Sequence, residues 1–146
     1  MVIMAKTIVS MEKLITILIV DDNRFVREGL CMLLSDVTNF RLAGEAKNGE
    51  EAIALSGELI PDIVLMDINM SPVDGFEATR KILKHNAAIN IIGLSLHNDF
   101  SYCHKLLLLG ARGYLIKSTS HDEIIIAINE VAAGRKYIDK DLVDNF

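Results

Sequence analysis

Five short apolar runs, each followed by a segment of helical periodicity, constrain this chain more tightly than any other feature of it. Ile15 to Val20 is rich in β-branched residues and unbroken by Gly or Pro, which is how a strand covered on both faces reads. Arg41 to Ala46, Ile63 to Met66, Asn90 to Leu94 and Gly113 to Ile116 repeat the pattern. The segments between them carry helix punctuation. Asn48 and Asp74 are N-cap types with Glu51 and Glu77 three residues on, Ser120 and Glu123 have the capping-box spacing, and Gly110 and Gly134 stand where helices stop. Strands that alternate with helices imply parallel βαβ units with right-handed crossovers. The expected fold is therefore α/β, a three-layer sandwich of a five-stranded parallel sheet between five helices.

In the first helix, Asn23 to Ser35, the residues Phe25, Val26, Gly29, Leu30 and Leu33 share one face, and Arg24, Arg27, Glu28 and Cys31 lie on the other. That pattern predicts an exposed Cys31 thiol. At 146 residues the chain has the length of one domain, expected over 14–136, with an N-terminal extension over 1–13 and a linker start or tail over 137–146. A net charge of −5 excludes the basic surface that grips nucleic acid through its phosphates. Two cysteines, Cys31 and Cys103, match no metal-ligand or redox spacing and suit a reducing compartment, so a cytoplasmic location is expected. The apolar run from Leu14 to Val20 is far shorter than the roughly 20 residues a spanning helix needs, which predicts no membrane segment.

The residues that end the strands carry the chemistry. Asp21 and Asp22 close the first run, Asp67 the third, Ser95 the fourth and Lys117 the fifth. In a parallel sheet these positions gather at the carboxyl edge, where open α/β folds bind ligands. An aspartyl phosphate needs a carboxylate nucleophile, a divalent cation and fixed positive charge for the phosphoryl oxygens. Asp67 is the candidate nucleophile. Asp21 and Asp22 offer more carboxylate than one salt bridge requires, which suits Mg²⁺ or Mn²⁺. Lys117 supplies the point charge and Ser95 a hydroxyl donor. Taken singly, each is an ordinary turn, cap or surface residue, and only the set points to phosphoryl transfer.

Those residues, in the phrases Ile17-Leu18-Ile19-Val20-Asp21-Asp22, Ile63-Val64-Leu65-Met66-Asp67, Asp74-Gly75, Leu94-Ser95 and Gly113-Tyr114-Leu115-Ile116-Lys117, make the chain resemble the response-regulator receiver domains of bacterial two-component systems. The resemblance covers Ile15 to Gly134 and implies a flavodoxin-like (CheY-like) fold. It further implies Asp67 as the phosphorylation site and Asp21, Asp22, Asp67 and the backbone carbonyl of Asn69 as Mg²⁺ ligands. Lys117 and Ser95 would bind the phosphoryl group, Ser95 and Tyr114 would form a switch pair, and Met70, Leu96 and His97 would line the rim. The phrases from Leu94 to Asp99 and from Gly110 to Lys117 are similar to the NarL/FixJ (LuxR-type) transcriptional regulators, whose receiver precedes a helix-turn-helix domain. No such domain lies within this sequence, so contact with DNA is expected only through a missing C-terminal domain, and excision from a longer regulator is the favoured reading of a linker-like tail.

A sensor histidine kinase is the implied phosphoryl donor. A homodimer is expected through helix four, strand five and helix five, where Leu108 and Ile126 stand among polar neighbours, or through helices one and five. Three departures from the resembled pattern bear on the rim: Pro72 falls one residue late after Met70, Leu96 is bulkier than the usual small residue, and Ser118 stands where a proline commonly follows the lysine through a cis bond. The alternatives are a haloacid-dehalogenase-like phosphatase and a non-phosphorylated binding module of receiver shape. The first wants an Asp where this chain has Asn69, and the second leaves the set of Asp21, Asp22, Asp67, Ser95 and Lys117 without a purpose.

Overall fold

A computed structural model describes residues 13–143 apart from 97 and 99. The expected extension 1–13 therefore lies almost wholly outside the described residues, as does the rim candidate His97. The elements run β1 (Ile15–Val20), α1 (Arg24–Ser35), β2 (Phe40–Ala46), α2 (Gly49–Leu59), β3 (Ile63–Asp67), α3 (Gly75–His85), β4 (Asn90–Ser95), α4 (Phe100–Leu108), β5 (Gly113–Ile116), α5 (His121–Ala132), β6 (Tyr137–Ile138) and α6 (Lys140–Val143). All strands pair in parallel, in the order β2-β1-β3-β4-β5-β6. Successive residues of each strand enter opposite layers. Ile17, Ile19, Ile63, Leu65 and Leu94 pack with Leu30 and Leu34 of α1 and Ile124, Ile128 and Val131 of α5. Leu18, Val20, Val64, Met66 and Ile91 pack with Ala52 of α2, Ala78 and Ile82 of α3, and Leu106 of α4. Two cores on one sheet make the predicted three-layer sandwich.

The caps behave as their residue types predict. Asn48, Asp74 and Ser120 accept from the backbone N–H groups of Glu51, Glu77 and Glu123 respectively. At α1 the cap is Asn23, whose carboxamide oxygen takes the N–H groups of Phe25 and Val26. Asp22 is thereby left out of capping.

Three expectations need correction. The sheet has a sixth strand, and the region read as a tail is integrated: β6 pairs with β5, and Leu142 of α6 is wholly buried in the same core as Leu106. On α1, Phe25 is 84% exposed, while Cys31 packs against the Ile17–Leu34 core with burial and Glu45 pushing its thiol up to about 11. The apolar stripe is real, but its centre faces the sheet through Val26, Leu30 and Leu34, with Phe25 at the margin. Met70, a rim candidate, is buried in the core instead. Among the described residues the cis peptide lies at Ser71–Pro72; Lys117–Ser118, whose isomer the sequence leaves open, is trans.

Candidate functional site

The strand order reverses between β1 and β3, and the crevice above that point is where Asp21 and Asp67 emerge. Both carboxylates are wholly buried, and Asp22 beside them is exposed. One oxygen from each of the three lies within 4.8 Å of the others. The ammonium of Lys117 reaches in from the end of β5, 3.0 Å from Asp21 Oδ2 and 3.1 Å from Asp67 Oδ1. Ser95 is buried at the end of β4, and its carbonyl accepts the backbone N–H of Lys117 at 2.7 Å. Thus the sheet brings together Asp21, Asp22, Asp67, Ser95 and Lys117 from four strand ends.

Local turns aim these groups. Asp21 Oδ1 accepts the N–H of Asn23 at 2.8 Å and Asp67 Oδ1 that of Asn69 at 3.0 Å, so each carboxylate is fixed by the backbone two residues on. Arg27, one turn into α1, donates from Nη1 to the Asp21 carbonyl at 2.8 Å while its Nε pairs with Glu45 at 3.1 Å. By helical periodicity alone Arg27 falls on the solvated face of α1. Its spacing from the acid pair was the available signal, because a cation one turn after a strand-end acid points back at the loop between them.

Gly75 holds the loop after β3 close: a Cβ there would stand 2.4 Å from the Asp67 carbonyl oxygen. The side chain of Asn69 is also placed, its oxygen accepting the Ser95 hydroxyl at 3.3 Å and lying 3.5 Å from the Leu96 N–H. Leu96 is 70% exposed and joins Val26, Leu30, Leu94, Lys117, Ser118 and Ile124 around a cavity of about 330 Å³ beside the acids. Tyr114 is wholly buried, with its ring inward against the position of Gly93, where a Cβ would meet Leu106 at 2.4 Å and the ring at 3.2 Å.

The electrostatics follow from burial. Desolvation pushes the Asp21 carboxyl up from the ordinary carboxylate range, and Asp67 adds to this against the pull of the Asn23 N–H and Lys117. Asp22 is raised by the same two causes in the same order. Burial opposes the charge on Lys117, yet Asp21 and Asp67 together hold its ammonium above the ordinary value. The second oxygen of Asp67 is buried and accepts no hydrogen bond from the described residues, an uncommon condition for a buried carboxylate oxygen. Clustered hard oxygen donors with one such orphan fit a divalent cation of the Mg²⁺ or Mn²⁺ type.

Residues 17–129 match the family model described as the response regulator receiver domain. The chain is 38% identical over 134 residues to the transcriptional regulatory protein DegU of Brevibacillus brevis, covering 92% of this chain and 57% of that protein. It is 38% identical over 125 residues to the response regulator GacA of Pseudomonas viridiflava, covering 86% of this chain and 58% of the other. It thus spans less than two thirds of the length of the curated relatives it matches. Among solved structures, a two-component response regulator of the LuxR family from Aurantimonas sp. SI85-9A1 superposes with a TM-score of 0.87 at 33% identity, covering 90% of this chain and 94% of that one. No helix among the described residues is long and apolar enough to cross a membrane.

Proposed function

This chain belongs to the response regulator receiver domain family of two-component systems, a signalling family and not an enzyme family, and on that premise we propose that Asp67 accepts a phosphoryl group from the phosphohistidine of a sensor histidine kinase. A carboxylate oxygen of Asp67 attacks phosphorus, the phosphorus–nitrogen bond breaks, and its electron pair returns to the imidazole nitrogen. Water later attacks the same phosphorus, the bond to Asp67 breaks, and inorganic phosphate leaves. The single observation that carries this reading is the Asp67 carboxylate itself: buried, fixed through Oδ1 by Lys117 and the Asn69 N–H, and carrying a second oxygen that accepts no hydrogen bond from the described residues.

The other roles follow from position. Asp21, Asp22 and Asp67, with the backbone carbonyl of Asn69, would hold Mg²⁺ or Mn²⁺, which when bound screens the phosphoryl charge. Lys117 already sits against Asp67 and meets the peripheral phosphoryl oxygens as a charge in a poorly solvated site. Ser95 donates to Asn69 Oδ1 in the state described; on phosphorylation its hydroxyl turns to the phosphoryl oxygen, and Tyr114 is its partner in the switch. Leu96, standing exposed beside Lys117, restricts the approach of water.

The receiver controls transcription through a DNA-binding domain carried by a longer protein, as the description of its relative DegU as a transcriptional regulatory protein supports. A homodimer belongs to this reading as well. Leu108 on α4 and Ile126 on α5 are exposed, as are Phe25 and Met32 on α1. Because β6 occupies the outer edge of β5, the face of α1 and α5 is favoured over that of α4, β5 and α5. A cytoplasmic location is proposed with it, in keeping with two free thiols.

Incubation with acetyl phosphate and Mg²⁺ followed by intact mass tests the central claim. A phosphate-sized adduct that disappears in Asp67→Asn is expected; no adduct together with no beryllofluoride binding would overturn it.

A further inference from the structure

At Asp139 the chain leaves β6 for α6, and the side chain there continues what the backbone abandons. The N–H of Asp139 donates to the Tyr114 carbonyl at 2.8 Å, as the next rung of a parallel ladder with β5 should. The next rung after that would come from the Asp139 carbonyl to the N–H of Ile116. That carbonyl has instead turned into the helix, accepting Leu142 N–H at 3.0 Å and Val143 N–H at 3.1 Å. Oδ2 of the Asp139 carboxylate takes the vacated place and accepts Ile116 N–H at 2.9 Å, while Oδ1 caps α6 through Asp141 N–H at 3.0 Å. The residue is 1% exposed. Both oxygens are therefore committed inside the protein, where an orphaned N–H would be costly.

Ile116 is the residue before Lys117, and Lys117 N–H in turn donates to Ser95 on the opposite side. The end of β5 is thus clamped from both sides, by Ser95 of β4 and by the Asp139 side chain, with Lys117 projecting from the clamp to the acids. We infer that Asp139 is a positioning residue for the phosphorylation site, which sets Lys117 through Ile116 and ties segment 137–143 to the state of that lysine. The inference rests on the reading of Asp67 as phosphoacceptor and adds a route by which the segment leading out of the domain is coupled to it. Glu123 reinforces the route, its carboxylate accepting the Tyr137 hydroxyl and the Lys140 N–H, both at 3.1 Å. Coupling of this kind is reciprocal: what phosphorylation does to the segment, loss of the segment's hold must do to binding at the site.

Beryllofluoride affinity in the presence of Mg²⁺, measured on the full chain, is the first readout. Asp139→Ala is expected to weaken it by at least fivefold, and Asp139→Asn, which keeps one acceptor oxygen, by an intermediate factor. Leu142→Ala, which loosens α6 but leaves both Asp139 oxygens on their donors, is expected to change it less than twofold. Equal affinity in wild type and Asp139→Ala overturns the inference, and so does an equal loss in Leu142→Ala, since that would mean mere loosening of the fold. If Asp139→Ala does not fold, Asp139→Asn carries the same comparison. The second readout is hydrogen exchange: saturating beryllofluoride is expected to change protection of the Ile116 and Asp141 amides by at least fivefold in wild type and not in Asp67→Asn. Unchanged protection in wild type that does bind beryllofluoride defeats the coupling alone. No binding by wild type, together with no adduct from acetyl phosphate, defeats the phosphoacceptor reading and takes the coupling with it.

Discussion

Asp21→Asn is expected to stabilise the metal-free protein and to abolish most of the stability it gains from Mg²⁺. The Asp21 carboxylate is wholly buried. Its Oδ2 lies 3.0 Å from Lys117, an attraction of roughly 5 kcal/mol at an effective dielectric constant near 20. Against this stands Asp67, with a carboxylate oxygen within 4.8 Å, which repels by roughly 3–4 kcal/mol on the same footing. Asp22 adds a smaller repulsion because it is exposed and screened. The Coulomb terms nearly cancel, so the several kcal/mol needed to desolvate a buried ion decide the sign. Asn keeps an oxygen to accept the Asn23 N–H and sheds the desolvated charge. The expected gain is about 1–2 kcal/mol at pH 7 in EDTA, or a rise in Tm of roughly 3–7 °C for a domain of this size. Wild type should recover the difference when Mg²⁺ is added, since saturation at about 100 times Kd stabilises by about 2.7 kcal/mol, whereas the variant should gain far less. Urea unfolding in EDTA and with Mg²⁺ at about 100 times Kd provides the comparison. A variant less stable than wild type in EDTA, or equal Mg²⁺ gains in both, would refute the reasoning.

Leu142→Ala should cost about 2–4 kcal/mol in chemical unfolding, because the side chain is wholly buried in the core; a loss under 1 kcal/mol, on the order of a surface substitution, would show that α6 is not part of the domain. Gly75→Ala places a Cβ 2.4 Å from the Asp67 carbonyl oxygen, so it should cost about 1–3 kcal/mol as overpacking and slow adduct formation from acetyl phosphate, a wild-type rate being the contrary result. Burial opposes ionisation of Glu123, but hydrogen bonds from Thr119, Lys140 and Tyr137 hold its carboxyl below the ordinary 4.5. A depressed folded value means that this contribution is present above pH 4.5 and is lost as pH falls through the lower folded value. The Tm gap between wild type and Glu123→Gln should therefore shrink as pH falls below 4.5, and a constant gap would show that the charge is irrelevant.

Much of the fold was legible because the signals were local and redundant. Strand runs, N-caps at Asn48, Asp74 and Ser120, and stop glycines at Gly110 and Gly134 all speak for the same elements. What failed to show was set by tertiary context. Tyr137-Ile138 is too short to announce a strand, and pairs only because β5 offers an open edge and Asp139 can complete the ladder. The stripe on α1 was visible from periodicity, but the side on which Phe25 falls depends on how the helix sits across β1. Met70 reads as a rim residue by position and is core because the loop after β3 folds under towards Gly75, whose N–H donates to the Ile68 carbonyl at 3.2 Å.

The site was legible for a different reason. Each of its chemical groups ends a strand, and a parallel sheet delivers strand ends to one edge whatever the helices do. Residue type at those positions is therefore nearly the whole of the constellation. Strand-end position says nothing of the residues that hold the groups still: Arg27 on the Asp21 carbonyl, Asn69 on Ser95, and Asp139 on Ile116. None of these stands at a predicted strand end, and each acts on a backbone or side-chain atom of a residue that does. Positioning of this kind depends on where a donor or acceptor has been left unpaired by a turn, which only the folded chain determines. The chemistry of the edge is written in residue type, and the stiffness that chemistry requires comes from hydrogen bonds closed across elements far apart in sequence.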